Sequence, residues 1–103
     1  MPAELLWSPQ ALEDLMEIYV TIGLENADAA ERIYTAIEGR VGLLSAFPRM
    51  GPRRPGIAST ARMLVEGSYL VLYELHPDTE EGPVESVEIV RVVDGRRELS
   101  RLF

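Results

Sequence analysis

The 103 residues suit one domain, 1–103, and an apolar content of 47% supports a small but real core. A formal charge of −7 argues against a general nucleic-acid binder, which needs a basic footprint. The absence of cysteine removes any disulfide framework or thiolate metal site and suits a reducing cytoplasm.

Residues 3–7 form a short apolar run and are expected to be a strand. They carry no basic region and no long apolar core, so no signal peptide is expected at residues 1–8. Ser8 is a good N-cap and Pro9 suits the first helical position. Leu12, Leu15, Met16, Tyr19 and Ile22 then recur at helical spacing as one apolar face, with Glu13, Asp14 and Glu17 opposite and Gly23 as the stop. A second helix begins at Asn26 or Asp28, carries Ala30, Ile33, Ile37, Val41 and Leu44, and is stopped by Phe47-Pro48. Gly39 and Gly42 weaken it by roughly 1 kcal/mol each, or else let it approach the first helix closely. The short link makes the two an antiparallel hairpin.

Residues 48–60 are rich in Pro, Gly and Arg and read as an irregular crossing. After them the period changes to two. Residues 62–65 are a strand, Glu66-Gly67 a tight turn, 68–75 a second strand, 76–83 a polar loop and 84–93 a third strand. The tail starts at an Asp94-Gly95 turn. The fold class is therefore α+β: an N-terminal strand, a helix hairpin on one sheet face, and a three-stranded antiparallel meander. The third strand is partly apolar on both faces, so the face away from the helices needs a cover. No apolar stretch approaches the ~20 residues that span a bilayer.

Charge is segregated. Residues 1–48 carry −6, 49–73 carry +3, 74–90 carry −6 and 91–103 carry +2. All ten basic residues are arginine, which codon usage explains as well as a need for planar anion recognition does. The two basic segments are where an anionic partner is expected to dock.

Four stretches then resemble one family in order. WSPQALEDLMEIYVTI is similar to a Trp-[Ser/Thr]-Pro-x-Ala-x-x-Asp-Leu opening, and AAERIYTAIEGRVGLLSAFPRMGPRR to a helix ending in Leu-x-x-x-Pro and Gly-x-x-Arg. ARMLVEGSYLVLYEL resembles an Arg-x-Leu-x-x-x-x-Tyr-x-x-x-Tyr hairpin, and VEIVRVVDGRRELSRLF a last strand and tail. These are features of ParE toxins in the RelE/ParE superfamily. The resemblance implies the toxin of a type II toxin–antitoxin (plasmid stabilisation) system, bound by a ParD-like antitoxin. It leaves two activities: gyrase poisoning, as in ParE toxins, or ribosome-dependent messenger cleavage, as in RelE toxins.

The residues favour the first. A ribonuclease needs a general base, a general acid and clustered cations around one phosphate. Lysine is absent, the lone His76 falls in the acidic loop, and no Tyr or His follows Tyr73 except His76 itself. Arg62, Arg91 and Arg96 could still surround a phosphate, with Tyr69 or Tyr73 donating a proton; otherwise the tyrosines are core aromatics and the arginines surface ion-pair partners. Arg49, Arg53 and Arg54 are either a solvated charge run or a dock for acidic antitoxin groups. Trp7 reads as a packed anchor. Adjacent acids such as Glu13-Asp14 and Glu80-Glu81 do not converge, and no metal-ligand set, phosphate loop or cofactor site is expected. For the antitoxin the expected contacts are Arg53, Arg62, Tyr69, Val71, Tyr73 and Val90. For gyrase they are Arg96, Arg97, Leu99, Arg101, Leu102 and Phe103, with the alternative that Leu99 and Phe103 cap the core.

Overall fold

The computed structural model describes residues 2–96. In chain order these form β1 (Glu4–Trp7), α1 (Pro9–Gly23), α2 (Ala27–Gly42) with a 3-10 turn at Leu43–Ser45, β2 (Arg62–Glu66), β3 (Tyr69–His76) and β4 (Ser86–Asp94). Capping fixes the helix starts. Ser8 is extended and its Oγ accepts from the Ala11 amide at 3.0 Å, with Pro9 following; Asn26 Oδ1 accepts from the Ala29 amide at 3.0 Å. Three residues link the helices, so they return antiparallel, and Tyr19 meets Tyr34 edge-on at 5.5 Å.

The sheet order is β1-β4-β3-β2. β2, β3 and β4 form the expected antiparallel meander, and β1 joins β4 in parallel. The β2–β3 turn is Gly67-Ser68 rather than Glu66-Gly67, because Glu66 pairs with Tyr69. Gly67 has φ +61° and, among the described residues, no non-glycine residue has positive φ, which fits a Gly-first type II′ hairpin turn. A register shift between Leu72 and Tyr73 leaves Val90 as the extra residue of a bulge, since Tyr73 pairs with Ile89 and Leu72 with Arg91.

β1 ends opposite Ile89, and beyond that point the β4 edge needs other partners. The start of α1 supplies them. The Ser8 amide donates to Ile89 O at 2.9 Å, Ser8 Oγ donates to Val90 O at 2.9 Å, and the Asp14 carboxylate accepts from the Val92 amide at 3.0 Å. The Trp7-Ser8-Pro9 corner is thus both a helix cap and a continuation of the ladder.

The main core lies between helices and sheet. Ala11 and Leu15 of α1 and Ile37 and Val41 of α2 meet Leu64, Val71, Tyr73, Leu75, Val87, Ile89 and Val92, with Trp7 packed alongside as the sequence suggested. A smaller cluster of Met63, Leu70, Leu72 and Val93 uses the alternate strand positions and so marks the other sheet face; Ile57 of the 52–61 crossing packs against it. That face is closed at these four positions, contrary to the expectation of an open surface there, while Val65 stays exposed.

Three further expectations change. Gly39 and Gly42 do not admit a neighbour, because an added Cβ at either meets nothing within 4 Å. Leu12 and Met16 do not face the core, and Asp14 does. His76 closes β3 rather than lying in the loop. Arg97, Leu99, Arg101, Leu102 and Phe103 lie outside the described residues.

Candidate partner-binding surface

α1 is rotated so that Ala11, Asp14 and Leu15 are buried, with Ile18 and Ile22 half-buried on the same side. Asp14 is nearly closed to solvent and receives Arg91 Nε at 2.7 Å and Nη2 at 3.0 Å in addition to the Val92 amide. This forked pair holds the Arg91 guanidinium above its ordinary pKa, with burial opposing it. The opposite side of α1 presents Leu12, Met16, Val20 and Leu24, which are 53, 55, 50 and 84% exposed. They recur every fourth residue and so form one continuous ridge. Beside it a cleft of about 250 Å³ is lined by Met16, Tyr19, Glu31 and Tyr34. Exposed Glu13 and Glu17 flank the ridge on the helix itself.

A second polar centre sits under the 48–54 segment. The Tyr73 hydroxyl accepts from the Gly51 amide at 2.9 Å and donates to Pro48 O at 2.9 Å, while Arg62 Nη1 donates to Gly51 O at 2.9 Å. Burial pushes Tyr73 above the ordinary tyrosine value of 10.0, against smaller opposing effects of the Gly51 hydrogen bond and the Arg62 charge. Only glycine fits at 51, since an added Cβ would stand 2.6 Å from Met63 O and 2.7 Å from the Tyr73 hydroxyl.

The basic 49–54 segment is covered by the chain's own acidic loop. Arg53 pairs with Asp78 at 3.0 Å and with Glu80, and Arg49 donates to Thr79 O and Gly82 O, each at 2.9 Å. Arg62 Nη2 lies 3.7 Å from the Glu80 carboxylate. Arg49 and Arg53 are thus engaged within the chain rather than forming a solvated run, while Arg54 Nη1 lies 3.5 Å from Met63 Sδ.

Of the six residues expected at the antitoxin contact, Arg62, Val71 and Tyr73 are buried. The strand alternation points Val71 and Tyr73 at the helices, not at a partner. Arg53, Tyr69 and Val90 keep part of their surface, and Tyr69 lines a cleft of about 250 Å³ with Asp14, Glu17, Ile18, Thr21, Ile22, Val92, Val93 and Asp94. Arg96 is exposed and forked onto Asp94, whose carboxylate also accepts the Arg96 amide. Arg62, Arg91 and Arg96 thus bind three different internal partners.

Two groupings escaped the sequence reading. The ridge was hidden because Leu12 and Met16 also fit a stripe with Leu15; the signal that identifies it is the strict four-residue repeat through Leu24. The second is Glu74, His76 and Glu88, whose ligand-type atoms lie within 4.8 Å of one another although no metal-ligand set was expected. The Glu-x-His spacing on one strand was visible, but Glu88 comes from another.

A family model described as the ParE toxin of the type II toxin–antitoxin system parDE matches residues 5–99. No curated protein matches the sequence. Among solved structures, a chain from "Chromosomal ParDE TA system from P. aeruginosa" superposes with a TM-score of 0.72 at 20% identity, covering 89% of this chain and 95% of that one. This likeness shows the shared fold.

Proposed function

Since the chain belongs to the ParE toxin family of parDE type II toxin–antitoxin systems, we propose that it acts by binding alone, as an inhibitor of DNA gyrase that a ParD-like antitoxin neutralises. The observation that carries this reading is the engagement of the groups a messenger-cleaving site would need. Arg62 and Tyr73 hold the Gly51 turn, Arg91 holds Asp14, and Arg96 holds Asp94. With Tyr73 pushed above 10.0 by burial, its hydroxyl is a poor acid at neutral pH. A gyrase poison has to stabilise the cleaved enzyme–DNA state more than the resealed one, because only differential affinity shifts the populations. The basic segment after Val93, with Arg96, Arg97, Leu99, Arg101, Leu102 and Phe103, remains the proposed gyrase contact.

The α1 ridge is the proposed seat of the antitoxin, replacing the sheet positions that are buried. Its four-residue repeat fits an amphipathic helix laid along it, and the acids around it favour arginine or lysine at that helix's flanks. Supercoiling and cleavage assays with purified gyrase test the target. The full chain should block supercoiling and accumulate cleaved DNA, and truncation after Val93 should abolish both while circular dichroism stays unchanged. Codon-dependent messenger cuts in translating ribosomes, with gyrase unaffected, would overturn the reading in favour of the RelE-like ribonuclease.

A further inference from the structure

Glu74 and Glu88 are direct cross-strand partners on β3 and β4, and His76 lies two residues beyond Glu74 on the same side of β3. Like charges placed directly opposite destabilise a sheet unless something stands between them. No arginine among the described residues pairs with either glutamate. The imidazole meets both instead: His76 Nε2 is 3.1 Å from Glu88 Oε1 and 3.5 Å from Glu74 Oε1.

These spacings carry chemical information. With bonds of about 2.0–2.2 Å to nitrogen and oxygen, two ligands of a tetrahedral zinc ion stand about 3.3–3.5 Å apart. The Glu74 distance matches that edge, the Glu88 distance, which is also that of a hydrogen bond, falls a few tenths of an ångström short of it, and all three donor atoms lie within 4.8 Å of one another. The other Glu74 oxygen, Oε2, accepts from Thr60 Oγ1 at 2.9 Å, which turns Oε1 toward the imidazole as an outer-sphere partner does in metal sites. The imidazole is what separates this group from a patch of surface carboxylates, since it supplies the nitrogen donor that transition metals favour over magnesium or calcium.

We propose that Glu74, His76 and Glu88 form a binding site for a zinc-type divalent cation, with two carboxylates and one neutral imidazole bound through Nε2. Three protein ligands leave the fourth tetrahedral position to water. Metal here ties β3 to β4 at the end of the sheet next to the acidic 77–82 loop. The site is separate from the α1 ridge and independent of the gyrase reading.

The chain has one histidine and no cysteine, so the test is unambiguous with untagged protein. Isothermal titration with zinc chloride should show one saturable site per chain, and 1 mM magnesium should not compete. His76→Gln and Glu88→Gln should each weaken binding at least tenfold. Nitrogen-15 spectra of the single imidazole should show Nε2, not Nδ1, shifting on addition of zinc. Absence of a saturable site overturns the proposal, and so does zinc binding that survives His76→Gln undiminished. Circular dichroism of both variants guards against misfolding, and the imidazole spectrum of the unmodified chain decides the matter without any variant.

Discussion

On the inward side of α1 a carboxylate, Asp14, is shut away beside Arg91, whereas on the outward side Leu12, Met16, Val20 and Leu24 stand in water. Hydropathy alone predicts the reverse. Burial of Asp14 follows the hydrogen-bond needs of β4: where β1 stops, the Val92 amide lacks a strand partner and the carboxylate provides the acceptor. Once that contact fixes the helix rotation, the ridge has to face outward. The inner face serves the stability of the chain, and the outer face is the proposed seat of the antitoxin.

Breaking the inner face should have the largest effect. Asp14→Ala removes the forked acceptor of Arg91 and the acceptor of the buried Val92 amide, and should cost about 3 kcal/mol in urea unfolding. Pairing Asp14→Leu with Arg91→Met sharpens the assignment. It removes both charges of the pair but leaves the Val92 amide without its carboxylate acceptor, so stability should recover only to about 1–2 kcal/mol below the parent chain. A cost for Asp14→Ala as small as that of an ordinary surface change, within about 0.5 kcal/mol, would show that the carboxylate does not set the helix rotation.

The outer face should respond oppositely. Leu12→Gln with Met16→Gln should leave stability within about 0.5 kcal/mol. The same pair should weaken binding of the ParD-like antitoxin by about 2 kcal/mol, roughly thirtyfold in Kd. Unchanged affinity by titration calorimetry sinks the ridge as the antitoxin seat without touching the gyrase reading.

The smallest expected effect concerns a second buried polar group. Tyr73 has a raised folded-state pKa, so its contribution is fully present below the ordinary value of 10.0 and is lost as pH rises through the higher folded value. Unfolding free energy measured between pH 9 and 11.5 should fall more steeply for the parent chain than for Tyr73→Phe. At pH 7 the Phe variant should be weaker by about 1–2 kcal/mol, because the Gly51 amide loses its acceptor. Parallel pH curves for the two proteins refute the assignment.

Much of the architecture was legible because it is written in local chemistry. Ser8-Pro9 and Asn26 start the helices, Phe47-Pro48 stops the run after α2, and the change from helical to alternating period marks β2–β4. The ordered Trp7–Leu15, Arg62–Tyr73 and tail motifs pointed to the family that the residue 5–99 match bears out. The antitoxin residues were less legible. Period two shows that Val71 and Tyr73 share a face, but both faces of this sheet have apolar residues, so alternation does not tell which face meets the helices.

The sequence by itself determined the order and type of the elements, both helix starts, the α+β class and the family, since caps, breaks and periodicity act within a few residues, while the strand ends shifted by one or two residues on pairing. Only the tertiary structure decided the rotation of α1, the parallel docking of β1 on β4, the pairing of Arg53 with Asp78 and Glu80, and the meeting of His76 with Glu74 and Glu88. Periodicity defines a face but not its direction. That direction is set by partners far along the chain, as Asp14 is by Arg91 and Val92, seventy-seven and seventy-eight residues away.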